Sequence, residues 1–386
     1  MPSRKRIAIL SGIPVEAILA GANGRGAGHA CTWLPQLAME FERYTDEFDI
    51  HWITLDRAVQ KPKREHLRNQ TFCRLPAFHP RVDRLFHHRL SHARLSRAIS
   101  RFDPSLVHVW GVENPYSTVF SSFKGWKVLS VQGCLSAFNK ASPLPGYQKQ
   151  FLRRERWAVR AAHRVTCESG WSAEKVSQLA AISKPQVIDY GVHLRFYDVP
   201  WTPKPDKPIL LFSGALEHRK GFDLLIDAMG KIASRNWQLK VLGEGPLKNR
   251  FEGGTPKGIE LLGNLTWDSM IEHFSSAWAI VCPTRADTGP TVVKEARVVG
   301  LPVVASIHGG LRDYIHHDVN GLVVEPLDAA SLANALERIM GDFDLALRLG
   351  RGSHAEDRER FRPSLTAGSF VDLYRSVLFG EQPYSK

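Results

Sequence analysis

A chain of 386 residues exceeds one ordinary core, so two domains are expected. With 43% hydrophobic and 23% charged residues, the composition is that of a soluble globular protein, and no apolar run reaches the roughly 18 residues of a spanning helix. The net charge of +12 is uneven: residues 57–101 hold 12 lysines and arginines against 2 acids.

That basic run reads either as a solvated surface or as a face toward anionic lipid or a phosphorylated acceptor. It carries no helix-turn-helix or zinc-finger pattern and no regular basic–aromatic interleaving, so no nucleic acid is expected. The five cysteines are scattered, without a C-x-x-C pair, which fits a reduced, cytosolic chain without a zinc site. His87, His88 and His92 lack the complementary Cys or carboxylate spacing of a metal site.

In chain order, Lys5 to Ser11 reads as a first strand. The apolar run after it resembles a signal peptide, but Pro14 and Glu16 interrupt it. Gly21 to Gly28 is a glycine-rich loop that does not fit G-x-G-x-x-G. It reads as a substrate-covering loop or as a tolerated surface loop. Further strands are expected at 49–55, 104–110, 126–131, 163–168 and 185–188. Helices between them include a polar, basic region over 81–102. Strands separated by helices predict a parallel, doubly wound sheet. His108, Trp110 and Glu113 cluster at the end of one strand, where open sheets of this class bind ligands. Glu113 either contacts an acceptor or sugar, or fixes its loop.

Four prolines between Asp198 and Pro208 predict a stiff linker. The same rhythm then restarts, with strands at 208–213, 238–243, 259–262, 279–282, 303–305 and 321–325. The expected domains are 1–199, 200–363, and a helical segment 364–386 that packs back toward the first domain. The fold class is therefore α/β, two Rossmann-like domains facing across a cleft.

Two turns of the second domain carry the chemistry. In Gly214 to Gly221 (G-A-L-E-H-R-K-G), Arg219 and Lys220 precede a helix, which suits a diphosphate. In Thr284 to Ser306, Asp287, Thr288 and Gly289 form a turn, and Pro290 suits the first helical position. Val292, Val293, Ala296 and Val299 recur at helical spacing, and Gly300 closes the helix. Such a helix start attracts a phosphate. Glu295 lies one turn further on, within reach of a nucleotide's sugar.

Together these segments, with L-K-V-L-G-E-G-P at 239–246, A-I-V-C-P-T at 279–284, G-L-P-V-V-A-S at 300–306 and N-G-L-V-V-E-P at 320–326, resemble the donor half of the retaining GT-B glycosyltransferases of family 4. The resemblance is close and in order over 209–340 and looser before it. It implies a nucleoside-diphosphate sugar as donor, a glycan or lipid-linked hydroxyl acceptor, and no obligatory metal or other cofactor.

By the same resemblance, Lys220 and Arg219 would hold the donor diphosphate, beside Gly214. Asp287 would contact the donor sugar and Glu295 the ribose hydroxyls. Gly289, Pro290 and Thr291 would present backbone N–H groups to the phosphates, and Gly28 would belong to a loop closing near the donor. Gln132 takes the place of a histidine that contacts the sugar. Ala215 replaces a frequent arginine, and Asp287 a glutamate. Those departures keep two other readings open, a sugar-nucleotide epimerase of the same fold and a non-catalytic nucleotide-sugar or glycan-binding protein. The expected seat is cytoplasmic, peripheral on the inner face of the cell membrane where the basic half meets anionic lipid.

Overall fold

The computed structural model describes residues 4–13, 15, 18, 33–233, 236–325 and 327–380. Gly28, with the whole loop Gly21–Gly28, lies outside them.

The first sheet has eight strands: β1 (Lys5–Leu10), β2 (Phe48–Asp56), β3 (Lys63–Leu67), β4 (Gln70–Pro76), β5 (Leu106–Trp110), β6 (Trp126–Val131), β7 (Arg164–Cys167) and β8 (Gln186–Val187). Its order is β3-β4-β2-β1-β5-β6-β7-β8. Ile7, Ala8, Ile9 and Leu10 are all buried. Burial of consecutive residues means that both faces are covered, as in a parallel sheet between helix layers. The helices are α1 (Trp33–Phe41), α2 (Pro80–Leu85), α3 (Arg89–Phe102), α4 (Leu135–Ala141), α5 (Gly146–Ala161) and α6 (Gly170–Ala180).

One edge departs from the sequence reading. The basic run contains a hairpin, with β3 antiparallel to β4 and Leu67 opposite Gln70. Arg68 and Asn69 turn the chain with φ of 52° and 55°, both in the left-handed region that a two-residue hairpin loop needs.

The second sheet runs β11-β10-β9-β12-β13-β14, from β9 (Ile209–Ser213), β10 (Gln238–Leu242), β11 (Ile259–Gly263), β12 (Ala279–Cys282), β13 (Val303–Ser306) and β14 (Gly321–Val324). All its pairings are parallel. Its helices are α7 (Phe222–Lys231), α8 (Trp267–Ser276), α9 (Thr291–Val299) and α10 (Ala329–Gly341), followed by α11 (Phe343–Arg351), α12 (His354–Arg360) and α13 (Pro363–Phe379). Strand order reverses beside β1 in the first sheet and beside β9 in the second. Ligands in such sheets bind at that reversal, beyond the carboxyl ends of the strands.

The proline-rich segment is not a free spacer. Trp201 donates from its indole to Ala277 O at 2.8 Å, and Trp278 to Lys204 O at 2.8 Å, so the segment lies along the second domain. Helix α13 crosses back to the first. The Tyr374 hydroxyl bonds His108 Nδ1 at 2.7 Å, and Arg375 pairs with Glu47 at 2.8 Å. His108, with its other nitrogen on Ser130 at 2.7 Å, is fully buried within β5. Burial lowers its imidazole to about 3, so it is a neutral packing residue.

Candidate active site

The turn after β9 and the turn after β12 meet at the strand reversal of the second sheet. Arg285 N donates to Arg219 O at 2.8 Å, and the Thr284 hydroxyl to the same carbonyl at 3.0 Å. Gly221 sits at φ +72°, where a Cβ would fall 1.9 Å from Pro283 O. Only glycine lets the two turns approach this closely.

That contact delivers the two cations to Asp287. Lys220 Nζ lies 2.5 Å from Asp287 Oδ2 and Arg219 Nη1 lies 3.7 Å from it. Burial pushes the Asp287 carboxyl up, but Lys220, Arg219 and the Gly289 N–H outweigh it and leave it below its usual range. Asp287 is therefore held as a carboxylate throughout the neutral range. Arg219 also donates to Ala286 O at 3.1 Å and to Glu217 at 2.6 Å, and lies over the Phe138 ring at 4.8 Å. Phe138 belongs to α4 of the first domain, so Arg219 bridges the cleft.

A cavity of about 470 Å³ opens beside this knot, with Gly214, Ala215, Lys220, Pro290, Thr291 and Val292 in its wall. It runs on past Glu244, Gly263 and Asn264. Of the residues expected from sequence, Gly214, Lys220, Pro290 and Thr291 line it. Asp287 is joined to it through Lys220. Glu295 is completely buried on α9 behind that wall.

The helix start corrects one expectation. Pro290 is the N-cap of α9, not its first residue, and proline has no N–H to offer. The Gly289 N–H points to Asp287 Oδ1 at 3.3 Å. The amides this helix start can turn to an anion are those of Thr291 and Val292, the first of a helix whose leading N–H groups lack intrahelical partners.

Residues that sequence reasoning missed hold the turn in place. Gly310 N donates to Asp287 O at 2.9 Å, and a Cβ on Gly310 would fall 2.0 Å from Thr288 O. From the first domain, Ser169 Oγ donates to Thr288 O at 2.5 Å. The Thr288 hydroxyl donates to Gln132 O at 2.6 Å, which brings Gln132 to the Asp287 turn across the cleft. Beneath it, Lys294 is ion-paired with Glu168 and donates to Tyr190 O at 3.0 Å. Glu168 packs against the same turn: a Cβ on Gly289 would be 2.8 Å from its carboxyl carbon. Burial pushes the Glu168 carboxyl up to about 7, and Lys294 offsets only part of that rise.

Glu113 is turned onto its own loop. Its carboxylate accepts Val112 N at 2.8 Å and occupies the space beside Gly111, where a Cβ would fall 2.6 Å away. Burial raises this carboxyl too.

The loop carrying Gln132 rests on α4, whose Ser136 N donates to the buried Glu155 at 3.0 Å. The other Glu155 oxygen has no partner among the described residues, and burial pushes the carboxyl up to about 7. The folded value is thus raised above the unfolded one of about 4.3. The folded chain keeps this proton where the unfolded chain has lost it. The contribution is full below the unfolded value and lost as pH rises through about 7. We expect stability to fall across that window by up to about 1.4 kcal/mol per pH unit from this group. Glu155→Gln should flatten that component, as read from denaturant midpoints at several pH values.

The two facing α/β domains define a GT-B architecture with a cavity at the strand reversal of its second sheet. Residues 196–355 match the family model of glycosyl transferases group 1. An uncharacterized glycosyltransferase of Methanocaldococcus jannaschii is 30% identical over 179 residues, 45% of this chain and 46% of that protein. The sulfoquinovosyl transferase SQD2 of Arabidopsis thaliana is 25% identical over 287 residues, 68% of this chain and 55% of that one. The chain thus spans about half the length of these curated relatives.

Among solved structures, the sucrose-phosphate synthase of Thermosynechococcus elongatus superposes with a TM-score of 0.81 at 21% identity, covering 98% of this chain and 100% of that one. HepE of Anabaena, solved with UDP and glucose, gives 0.67 at 17%, covering 97% and 100%. At these identities the structures establish the fold.

Proposed function

We propose that the chain is a retaining, sugar-nucleotide-dependent glycosyltransferase. It moves a hexosyl unit from a nucleoside diphosphate to a hydroxyl of a glycan or lipid-linked acceptor, in building cell-envelope polysaccharide or glycolipid. The observation that carries this reading is the shared cavity: Lys220, Thr291 and Val292 line one space at the strand reversal, in the part of the chain that matches the glycosyl transferases group 1 model. HepE, with the same fold, was solved with UDP-glucose, which supports the same class of donor here.

The chemical difficulty is the charge that develops on the departing diphosphate as the anomeric bond breaks. A fixed ammonium and two helix-start amides answer that need in place before reaction. Arg219 adds charge from the cleft side. Asp287 faces the donor sugar and Gln132 supplies a hydrogen-bonding amide opposite it; the ribose contact expected of Glu295 requires the donor to uncover its side chain, which is fully buried behind the cavity wall. Glu113 holds the acceptor-side loop. These groups stabilise the leaving diphosphate without a metal. The acceptor hydroxyl attacks from the face that the diphosphate leaves, and closure of the domains excludes water. Among the described residues no helix is long and apolar enough to cross a membrane, and the basic first half suits a peripheral seat on the inner face of the cell membrane.

A panel of UDP-, GDP-, ADP- and dTDP-sugars, scored for binding, hydrolysis and transfer, tests the assignment. We expect one donor to be bound and turned over. Binding without turnover, even with candidate acceptors present, would make this a binding protein. Release of an epimerised sugar would make it an epimerase.

A further inference from the structure

Helix α2 and the turn after it carry apolar side chains that the fold does not use. Leu85 is 75% exposed, Phe86 50% and Val82 43%. Single exposed apolar residues need no explanation, but three in five positions, on a segment held rigidly, do. The rigidity comes from below. Asp83 is buried and accepts from Ser91 Oγ at 2.7 Å and Ser91 N at 3.1 Å, and bonds His88 Nδ1 at 2.8 Å. Arg154 of α5 donates to His87 O at 2.6 Å. The backbone at His87 and His88 is left-handed, with φ of 51° and 63°, so the turn is specified rather than loose.

The same network sets the charge of the outer surface. Asp83 is the one acid between Ala77 and His92, and it is turned inward. What remains outside is cationic: Arg81 and Arg89 are exposed and Arg84 half-buried. The segment presents apolar side chains among arginines, with no carboxylate of its own on the surface. That combination matches the boundary between headgroups and acyl chains of an anionic bilayer, where arginines meet phosphates and leucine and phenylalanine enter below them.

Topology places this face at the working end of the molecule. Strand β4 runs parallel to β2, β2 to β1, β1 to β5 and β5 to β6. The chain therefore leaves β4 toward α2 at the same edge of the sheet at which it leaves β6 toward Gln132. A bilayer against α2 would lie beside the cleft, where an acceptor carried on a lipid has the shortest path to the donor cavity.

We infer that α2 and the turn to Arg89 are a docking face for an anionic lipid surface, with Leu85 and Phe86 as the inserted residues. This rests on the peripheral seat proposed above and names the surface that makes it. The test is co-sedimentation of the full chain with phosphatidylglycerol–phosphatidylcholine vesicles and with phosphatidylcholine alone.

The wild type should partition onto the anionic vesicles and release as salt rises. Leu85→Asp/Phe86→Asp should weaken that partitioning at least about tenfold, and the milder Leu85→Ala/Phe86→Ala should weaken it less. Both should keep the wild-type affinity for the nucleoside diphosphate, which shows that the fold survives. If the wild type binds no vesicle, the peripheral seat itself is wrong. If it binds and the variants bind equally, the seat stands and this face is wrong. A concentration-dependent dimer in the ultracentrifuge that the Asp variant abolishes would overturn the inference in favour of a second copy of the chain.

Discussion

Lys220→Ala should lower kcat/KM for the donor by about 10²- to 10³-fold, the range seen when one preorganised donor to a developing anion is removed. The lysine lines the cavity proposed to hold the donor and stands 2.5 Å from Asp287. Its loss removes the nearest cation from both the diphosphate and that carboxylate. Because Arg219 still lies 3.7 Å from Asp287, the turn should remain folded. A second variant separates the two roles. Lys220→Ala/Asp287→Asn relieves the unpaired carboxylate and should recover stability, but not turnover. Unchanged donor affinity in Lys220→Ala would mean that the phosphate site lies elsewhere.

The second large effect concerns stability. Lys294 is completely buried and Glu168 nearly so, the two belonging to different domains. Lys294→Met removes the partner of Glu168, a carboxyl that burial already raises to about 7, and leaves it in the interior against Gly289 without its ion pair. It should cost about 3–5 kcal/mol, the usual result of removing one partner of a buried pair. Lys294→Met/Glu168→Met replaces both partners with apolar side chains of similar volume, and should recover most of that loss in denaturant titrations. An additive double variant would show that the two residues are not energetically coupled.

These two predictions differ in how far the sequence announces them. Arg219 and Lys220 stand side by side at the mouth of a helix, and Pro290 to Gly300 spells out a helix with its start and stop. Local chemistry of that kind is written within a few consecutive residues. Most strands were legible for the same reason, since runs such as Ile7–Leu10 and Val303–Ala305 are apolar throughout and bounded by turn residues. The pair Lys294–Glu168 spans 126 positions. Read alone, Lys294 is a charge on an amphipathic helix. In the structure Lys294, Glu295 and Arg297 are all buried; Glu168 and Tyr190 O come to Lys294, and Asp357 and backbone carbonyls to Arg297, from distant segments.

Arg297 pairs with Asp357 at 2.8 Å, an acid in α12, which the sequence reading passed over. The β3–β4 hairpin escaped for another reason. Its edge strand (K-R-E-H-L) is polar up to Leu67, so no period-two alternation marks it. Its turn, Arg68–Asn69, lacks the Asn-Gly or Asp-Gly signal that usually marks such loops. The charge that looked like a surface feature of 57–101 is in part the covering of a sheet edge, a common way to keep an edge strand from pairing with another chain.

The central claim is sugar transfer with retention from a nucleoside diphosphate. Its most direct test follows the anomeric proton of an α-linked donor by NMR while the nucleoside diphosphate is released. We predict an α-linked product formed in step with that release. A β-linked product would contradict retention, and an epimerised sugar with no acceptor consumed would contradict transfer altogether.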